Sequence, residues 1–496
     1  MPKIQASPAL RSALGVYKKV LKWAFVAVGM FHILYLMGIY AIGGSYPLWQ
    51  TVVGLDKWLL FALVIAAAVW LILVGLCDPW QKKKCIAAIR KRMTADQILL
   101  TLLFVWCLIG CLVLQSGSGH EFFTYMDANG TWMGLNQSAT FSMNDRPLRD
   151  MVISFFVLYP LGSLFGEKER RSILNLIICI LAVAASVVTV LVLFNLMNNR
   201  ITVLPGGQAG LDSAGFLVIA CNSNTTGAFS AMLLLLFGYM IGECKKTPVK
   251  IIFGVAAILQ FILLCLSGSR AAIYSVAAAA AVVGFRVVWS SEISFSDPKV
   301  KLVVGAVIGI ACAAAVLIVS NAAQDAVRPV VADTQGTGAP VYEKSGLSGR
   351  TNEWRDSWNA TFANSQNAIT GVTPAFVEYA IGMMRNEPDN AKYAHNQFFQ
   401  MLLAFGIPGL GLYIAWLVNL AKRCFRVGMK TVYFMLPVTV LMLIIGNLAE
   451  SYLVAYSYFC GSVFFLVCGM VKCEDETLRE QEAAQSRMNH KRKRKA

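Results

Sequence analysis

Of the four histidines in the chain, one stands where acid–base chemistry is possible. His395 occurs in YAHNQFFQMLLAFGIPGLGLY, at the end of a polar segment and directly before an apolar run. An imidazole titrates near neutral pH and can take a proton from a hydroxyl. For a lone histidine the plain alternative is a helix cap or an interfacial hydrogen bond. The other three sort differently: His32 lies inside an apolar stretch, His120 opens a polar segment, and His490 belongs to a basic tail. Two arginines share a Ser-Gly setting, Arg270 in SGSRAA and Arg350 in LSGRT. A guanidinium at a lipid boundary is costly unless an anion meets it, and it fits phosphate oxygens through two parallel hydrogen bonds. Headgroups and Asp or Glu side chains are its other common partners. A base and two such arginines on one side of a membrane would suit a lipid-linked diphosphate.

Elements able to position these residues follow from composition. Hydrophobic residues make up 57% of the 496, charged residues only 14%, and the mean hydropathy is +0.61, values that exclude an ordinary soluble domain. A bilayer core needs roughly 20 apolar residues per helix, and such stretches lie near 22–43, 57–77, 97–115, 149–166, 172–195, 225–243, 250–267, 271–288, 302–320, 397–420, 431–449 and 452–471. The expectation is an all-α polytopic membrane protein with about 12 transmembrane helices. The first stretch follows Lys18, Lys19 and Lys22 but lacks a small-residue cleavage site, so it reads as a retained span rather than a signal peptide. Positive loops stay on the cytoplasmic side. With the N-terminus inside, the inner segments hold 32 of the 43 Lys and Arg, including Lys82–Lys84, Arg90–Arg92, Lys168, Arg170, Arg171, Lys422, Arg423 and Lys491–Lys495. Both termini are therefore expected in the cytoplasm, and residues 1–472 read as one membrane domain. The net charge of +16 is spent on this orientation and on anionic lipid rather than on nucleic acid. Nearly all 13 cysteines lie in spans or inner segments, with Cys221 nearest the outer face, so neither a disulfide framework nor a structural metal is expected.

On the outer side fall the segments 116–148, 196–224, the tight Ser267–Arg270 turn, and a loop at about 321–396 between spans 9 and 10. The last is too long for a structureless connector. Within it Arg350, Trp354, Trp358 and Phe362 recur every four residues, the spacing of one helical face. That pattern predicts a surface helix with its aromatics at headgroup level. Spans eight and nine are rich in Ala and Gly, the composition of closely packed helices. The polar tail, 473–496, reads as disordered and attracted to lipid.

His395-Asn396 followed after nine residues by Gly406-Ile-Pro-Gly409 resembles the histidine signature of the O-antigen ligase family and its polysaccharide-polymerase relatives. SGSRAA with Arg270, SGRTxxW with Arg350 and Trp354, and the Asn224-Thr-Thr-Gly227 helix start are similar to that family's recurring segments, in the same order. The resemblance covers roughly residues 200–415. It implies a GT-C-like glycosyltransferase of the bacterial plasma membrane that uses no nucleotide sugar, metal or other cofactor. Its donor would be a glycan on undecaprenyl diphosphate, and its acceptor a glycan or envelope hydroxyl at the outer surface. His395 would be the catalytic base, Arg270 and Arg350 would hold the diphosphate, and the displacement would invert the anomeric carbon. Glu450, where span eleven reaches the outer face, is placed to pair with an arginine or orient His395, or to be an ordinary helix-end carboxylate. Asn396, Trp354 and Asn224 are candidate supporting residues. The outer loops carry no Asp-x-Asp pair, in keeping with metal independence. A transporter or flippase of lipid-linked glycans is the alternative reading; against it, the chain shows no internal repeat and its candidate charges gather at one face. A catalytically silent assembly partner is a third.

Overall fold

A backbone surrounded by lipid has to close its hydrogen bonds internally, and the long apolar stretches form helices. The computed structural model describes residues 8–42, 47–77, 94–115, 124–126, 132–134, 140–197, 210–211, 217–218, 223–291, 297–335, 350–384, 393–430, 433–454 and 459–493. Outside this set lie Lys82–Lys84, Arg90–Arg92, His120, Cys221, Gly336–Pro340 and the last residues of the basic tail.

The principal helices are α1 (Pro8–Ile42), α2 (Pro47–Cys77), α3 (Ala95–Gln115), α4 (Asp145–Val152), α5 (Glu167–Met197), α6 (Ser223–Glu243), α7 (Thr247–Leu266), α8 (Arg270–Ser290), α9 (Pro298–Gln335), α10 (Arg350–Phe362), α11 (Ser365–Thr370), α12 (Val377–Met384), α13 (Gln397–Lys430), α14 (Met435–Gly446) and α15 (Phe459–Lys493). Among the described residues, β structure is limited to two short antiparallel ladders, Thr124–Met126 with Trp132–Gly134 and Gly210–Leu211 with Leu217–Val218. Among the described residues, nine helices are long and apolar enough to cross a membrane: α1, α2, α3, α5, α6, α7, α8, α9 and α13. The chain is a polytopic membrane protein.

The other three expected spans are helical too, but short or composite. Residues 149–166 start in α4, widen into a π-helical turn at Ile153–Leu158, and end in a 3-10 turn at Gly162–Leu164. Pro160 has no N–H to continue the ladder, and Gln97 Nε2 donates to the Phe155 carbonyl at 3.0 Å. Span eleven is the 12-residue α14. The twelfth is the apolar half of α15, buried on every side from Phe459 to Cys473, as a central helix should be.

The tail departs from the sequence expectation. α15 continues unbroken through Lys493, because its polar half begins on a buried ionic hub. Asp475, fully buried, accepts from Arg423 at 3.0 Å, Arg426 at 2.7 Å and Arg479 at 3.0 Å, and Arg423 also meets Asp96 at 2.6 Å. Glu474 takes Arg170 at 2.9 Å. These pairs clamp α15 to α3, α5 and α13 at one end of the bundle. The Ala/Gly-rich helices α8 and α9 pack as their composition predicts: a Cβ on Gly309 would lie 2.6 Å from the Ala281 carbonyl oxygen.

Helix α13 carries the site and has a built-in break. Gly406 takes φ 67° and Pro408 follows, so the carbonyls one turn back lose their helical donors. Other donors replace them. Val372 N–H bonds the Leu403 carbonyl at 2.9 Å, Thr373 N–H the Ala404 carbonyl at 3.0 Å, and Trp106 Nε1 the Phe405 carbonyl at 2.9 Å. Gly371, at φ 74°, faces Ala404 so closely that a Cβ would come within 2.4 Å of its carbonyl. The Gly-Ile-Pro-Gly signature is thus the groove into which the 371–373 turn locks, joining α11 and α12 to α13.

Candidate active site

Asn396 caps α13: its Oδ1 accepts from Phe398 N–H at 2.8 Å and Phe399 N–H at 3.3 Å, the use for which Asn is favoured at helix starts. Its Nδ2 donates to the Leu448 carbonyl at 2.8 Å. His395, just before the cap, holds φ 45°, a left-handed conformation that costs a non-glycine residue of order 1 kcal/mol or more. Neighbours fix it there. Trp354 Nε1 donates to the His395 carbonyl at 3.3 Å, and the Trp354 ring stacks on Phe399 with centroids 5.9 Å apart.

Opposite His395 runs the 447–454 turn after α14, stitched to α13 by Gln397. Gln397 N–H donates to the Asn447 carbonyl at 2.9 Å, its Nε2 to the Val454 carbonyl at 3.1 Å, and its Oε1 accepts from Leu453 N–H at 3.1 Å. Asn447 Oδ1 accepts from Tyr452 N–H at 3.0 Å. This lattice presents Glu450 to the ring: Glu450 Oε2 lies 3.1 Å from His395 Nδ1, while its Oε1 accepts from Arg350 Nη2. Arg350, Glu450 and His395 therefore form one continuous chain, with the carboxylate bridging guanidinium and imidazole. The three side chains are 15%, 7% and 22% exposed, so the group opens at its histidine end.

Helix α10 forms the other wall. Arg350, Glu353 and Trp354 share a face at i, i+3 and i+4, and Glu353 Oε2 lies 3.9 Å from His395 Nε2. Trp358 and Phe362 are 52% and 43% exposed. The aromatic stripe is thus divided: Trp358 and Phe362 keep the surface position expected of them, whereas Trp354 packs into the site.

Arg270 opens α8 at the same end of the bundle. A Cβ on Gly446 would lie 3.5 Å from Ser275 Oγ, and Arg270 is five residues, about 7.5 Å of helix, beyond Ser275. The Ser267–Arg270 turn is shaped by Gly268 at φ 61° and by Ser269, which caps α8 through Ala272 N–H at 3.4 Å. Gly227 of α6 is fitted so tightly beneath this turn that a Cβ there would meet Ser269 Cβ at 2.4 Å. Asn224 is one turn earlier, at the start of α6.

With Nδ1–H donating to Glu450, the lone pair of the imidazole falls on Nε2, the arrangement of a carboxylate-oriented base. Glu353 is the residue sequence reasoning missed. Its only signal is its place one turn after Arg350 on the same face. Gln397 and Asn447 gave no signal, because their partners are backbone groups brought together only by the fold. The family model described as O-antigen ligase matches residues 255–414, a stretch containing Arg270, Arg350, Glu353, Trp354, His395 and Asn396, with Glu450 beyond it. No curated protein matches the chain. Across the matched region, which supplies both arginines and the histidine, the chain is similar to the O-antigen ligase family.

Proposed function

We propose that the protein transfers a glycan from a polyprenyl-diphosphate carrier, undecaprenyl diphosphate in the bacterial plasma membrane, to an acceptor hydroxyl, in ligase-like or polymerase fashion. The observation that carries this reading is the Arg350–Glu450–His395 chain. Glu450 orients the ring, and His395 Nε2 takes the proton of the acceptor hydroxyl. As that proton leaves, the acceptor oxygen bonds the anomeric carbon, and the bond from that carbon to the diphosphate breaks with its electron pair on the diphosphate. Arg270 and the remaining donors of Arg350 neutralise that charge. Single displacement inverts the anomeric carbon, and the step is balanced without a metal or cofactor.

The basic-residue distribution supports cytoplasmic termini and an outer-facing site, the apolar stretches support twelve spans, and the family resemblance implies a GT-C-like arrangement. Residues 1–472 then form one membrane domain, with 321–396 as its outer catalytic loop and 473–496 as a cytoplasmic extension. Purified protein in lipid nanodiscs, given a polyprenyl-diphosphate-linked glycan and an acceptor glycan, is expected to release one polyprenyl diphosphate per glycosidic bond formed. Release of the diphosphate with no new bond, or neither, overturns the reading.

A further inference from the structure

Helix α4 lies outside the region matched by the family, yet it reaches the same end of the bundle. Asn144, immediately before it, donates from Nδ2 to Thr373 Oγ1 at 3.0 Å, and its Oδ1 accepts from Ala375 N–H at 3.0 Å. Thr373 and Ala375 lead into α12, which packs on α10. At the other end of α4, Asp150 and Ser154 line a small cavity together with Leu453 and Val454, the residues stitched to Gln397 beside His395. Helix α4 is therefore tied to the 371–376 turn and to the 447–454 turn that carries Glu450.

Its charges sit in an ionic cluster with α1 and α2 that is buried around Asp56, His32 and Arg149 and open at Asp145 and Lys57, which are 46% and 64% exposed. Arg149 Nε lies 3.5 Å from Asp56 Oδ2, and Arg149 Nη1 lies 4.0 Å from Asp145 Oδ2. Asp56, fully buried, also faces His32 Nδ1 at 3.2 Å, and His32 Nε2 faces Asp150 Oδ1 at 3.5 Å. Lys57 reaches Asp145 at 3.8 Å. The cations and carboxylates of the cluster thus face one another across three helices.

Arg146 belongs to the same charged neighbourhood, which includes Tyr35, Asp56, Arg149 and Asp150. Its Nε and Nη2 are buried, and among the described residues neither has a hydrogen-bond partner. These two nitrogens form one edge of the guanidinium, with their N–H bonds parallel, and that edge matches two oxygens of a phosphate or carboxylate. A buried charged donor without an acceptor is unfavourable. An incoming oxyanion would remove that cost.

We propose that Arg146 binds an oxyanion of the substrate on its Nε–Nη2 edge, either a phosphate of the lipid-linked donor or a carboxylate on a sugar. This inference rests on the reading of the protein as a glycan transferase and adds a subsite contributed by the N-terminal third of the chain.

The test has a binding arm and a kinetic arm, both on full-length protein in nanodiscs. Thermal unfolding is followed with inorganic diphosphate and, separately, with glucuronate, for wild type, Arg146→Gln and Arg146→Lys. One of the two anions is expected to raise the wild-type midpoint and to do so much less in Arg146→Gln. In the kinetic arm, KM for the matching substrate rises about tenfold to a hundredfold in Arg146→Gln, with smaller changes in kcat. Arg146→Lys keeps the charge but not the fork and falls between the two. A response to diphosphate assigns the donor, and a response to glucuronate assigns an acidic sugar. Equal anion responses and unchanged KM values in both variants overturn the proposal while leaving catalysis by His395 standing. The binding arm needs no turnover, so wild-type protein that binds the anion through Arg146 but transfers no glycan would refute the transferase reading alone.

Discussion

Glu450→Gln removes one charge and little volume at the centre of the site. In the native arrangement the carboxylate lies 3.1 Å from His395 Nδ1, so a full positive charge on the ring would be stabilised by roughly 5 kcal/mol at an effective dielectric constant of about 20. Arg350 shares the same carboxylate, and the ring carries only part of a charge while the proton is in transit. Roughly half of the interaction, about 2 to 3 kcal/mol, therefore acts on the barrier, or about 10²-fold in kcat. A glutamine can also turn its amide N–H toward Nδ1 and favour the wrong tautomer, which adds to the loss. The assay is steady-state glycan transfer in nanodiscs, with donor affinity measured separately by equilibrium binding. The expected result is a kcat lowered by about 10² or more with donor affinity within a few-fold of wild type. A kcat within threefold of wild type would refute the orienting role of Glu450.

Further expectations follow from the same geometry. Arg350→Gln should raise donor KM and also lower kcat, because it frees Glu450 from its anchor; a change in KM alone would mean that Arg350 acts only on the diphosphate. Asn396→Ala removes the α13 cap and the tie to Leu448, so stability should fall by about 1 to 2 kcal/mol; an unchanged denaturation midpoint would contradict this. Gly406→Ala places a Cβ about 2.2 Å from the Ile369 carbonyl oxygen at φ 67°, and should destabilise by roughly 3 kcal/mol, read by thermal unfolding with retention of fold checked by circular dichroism.

The helical membrane architecture was legible because lipid leaves a twenty-residue apolar signature for each crossing. Spans that depart from it were harder to read: 149–166 contains a π-helical turn and α14 has only 12 residues, because protein rather than lipid surrounds them. The tail was misjudged for a related reason, since the three arginines that order Asp475 come from α13 and from the tail's own next turn. At the site, His395, Asn396, Arg350 and Trp354 lay in short segments that resemble those of the O-antigen ligase family. Glu450 was recognisable only as a helix-end carboxylate whose partner had to be found in space. The buried cluster of His32, Asp56, Arg149 and Asp150 was invisible, because its members sit on three helices that only the fold brings together.

The most direct test of the account is His395→Ala in purified, reconstituted protein, with single-turnover transfer from a labelled polyprenyl-diphosphate glycan measured beside donor binding. Transfer should be lost while donor affinity stays near wild type, because Arg270 and Arg350 remain in place. Turnover at the wild-type rate would contradict the assignment of His395 as the base.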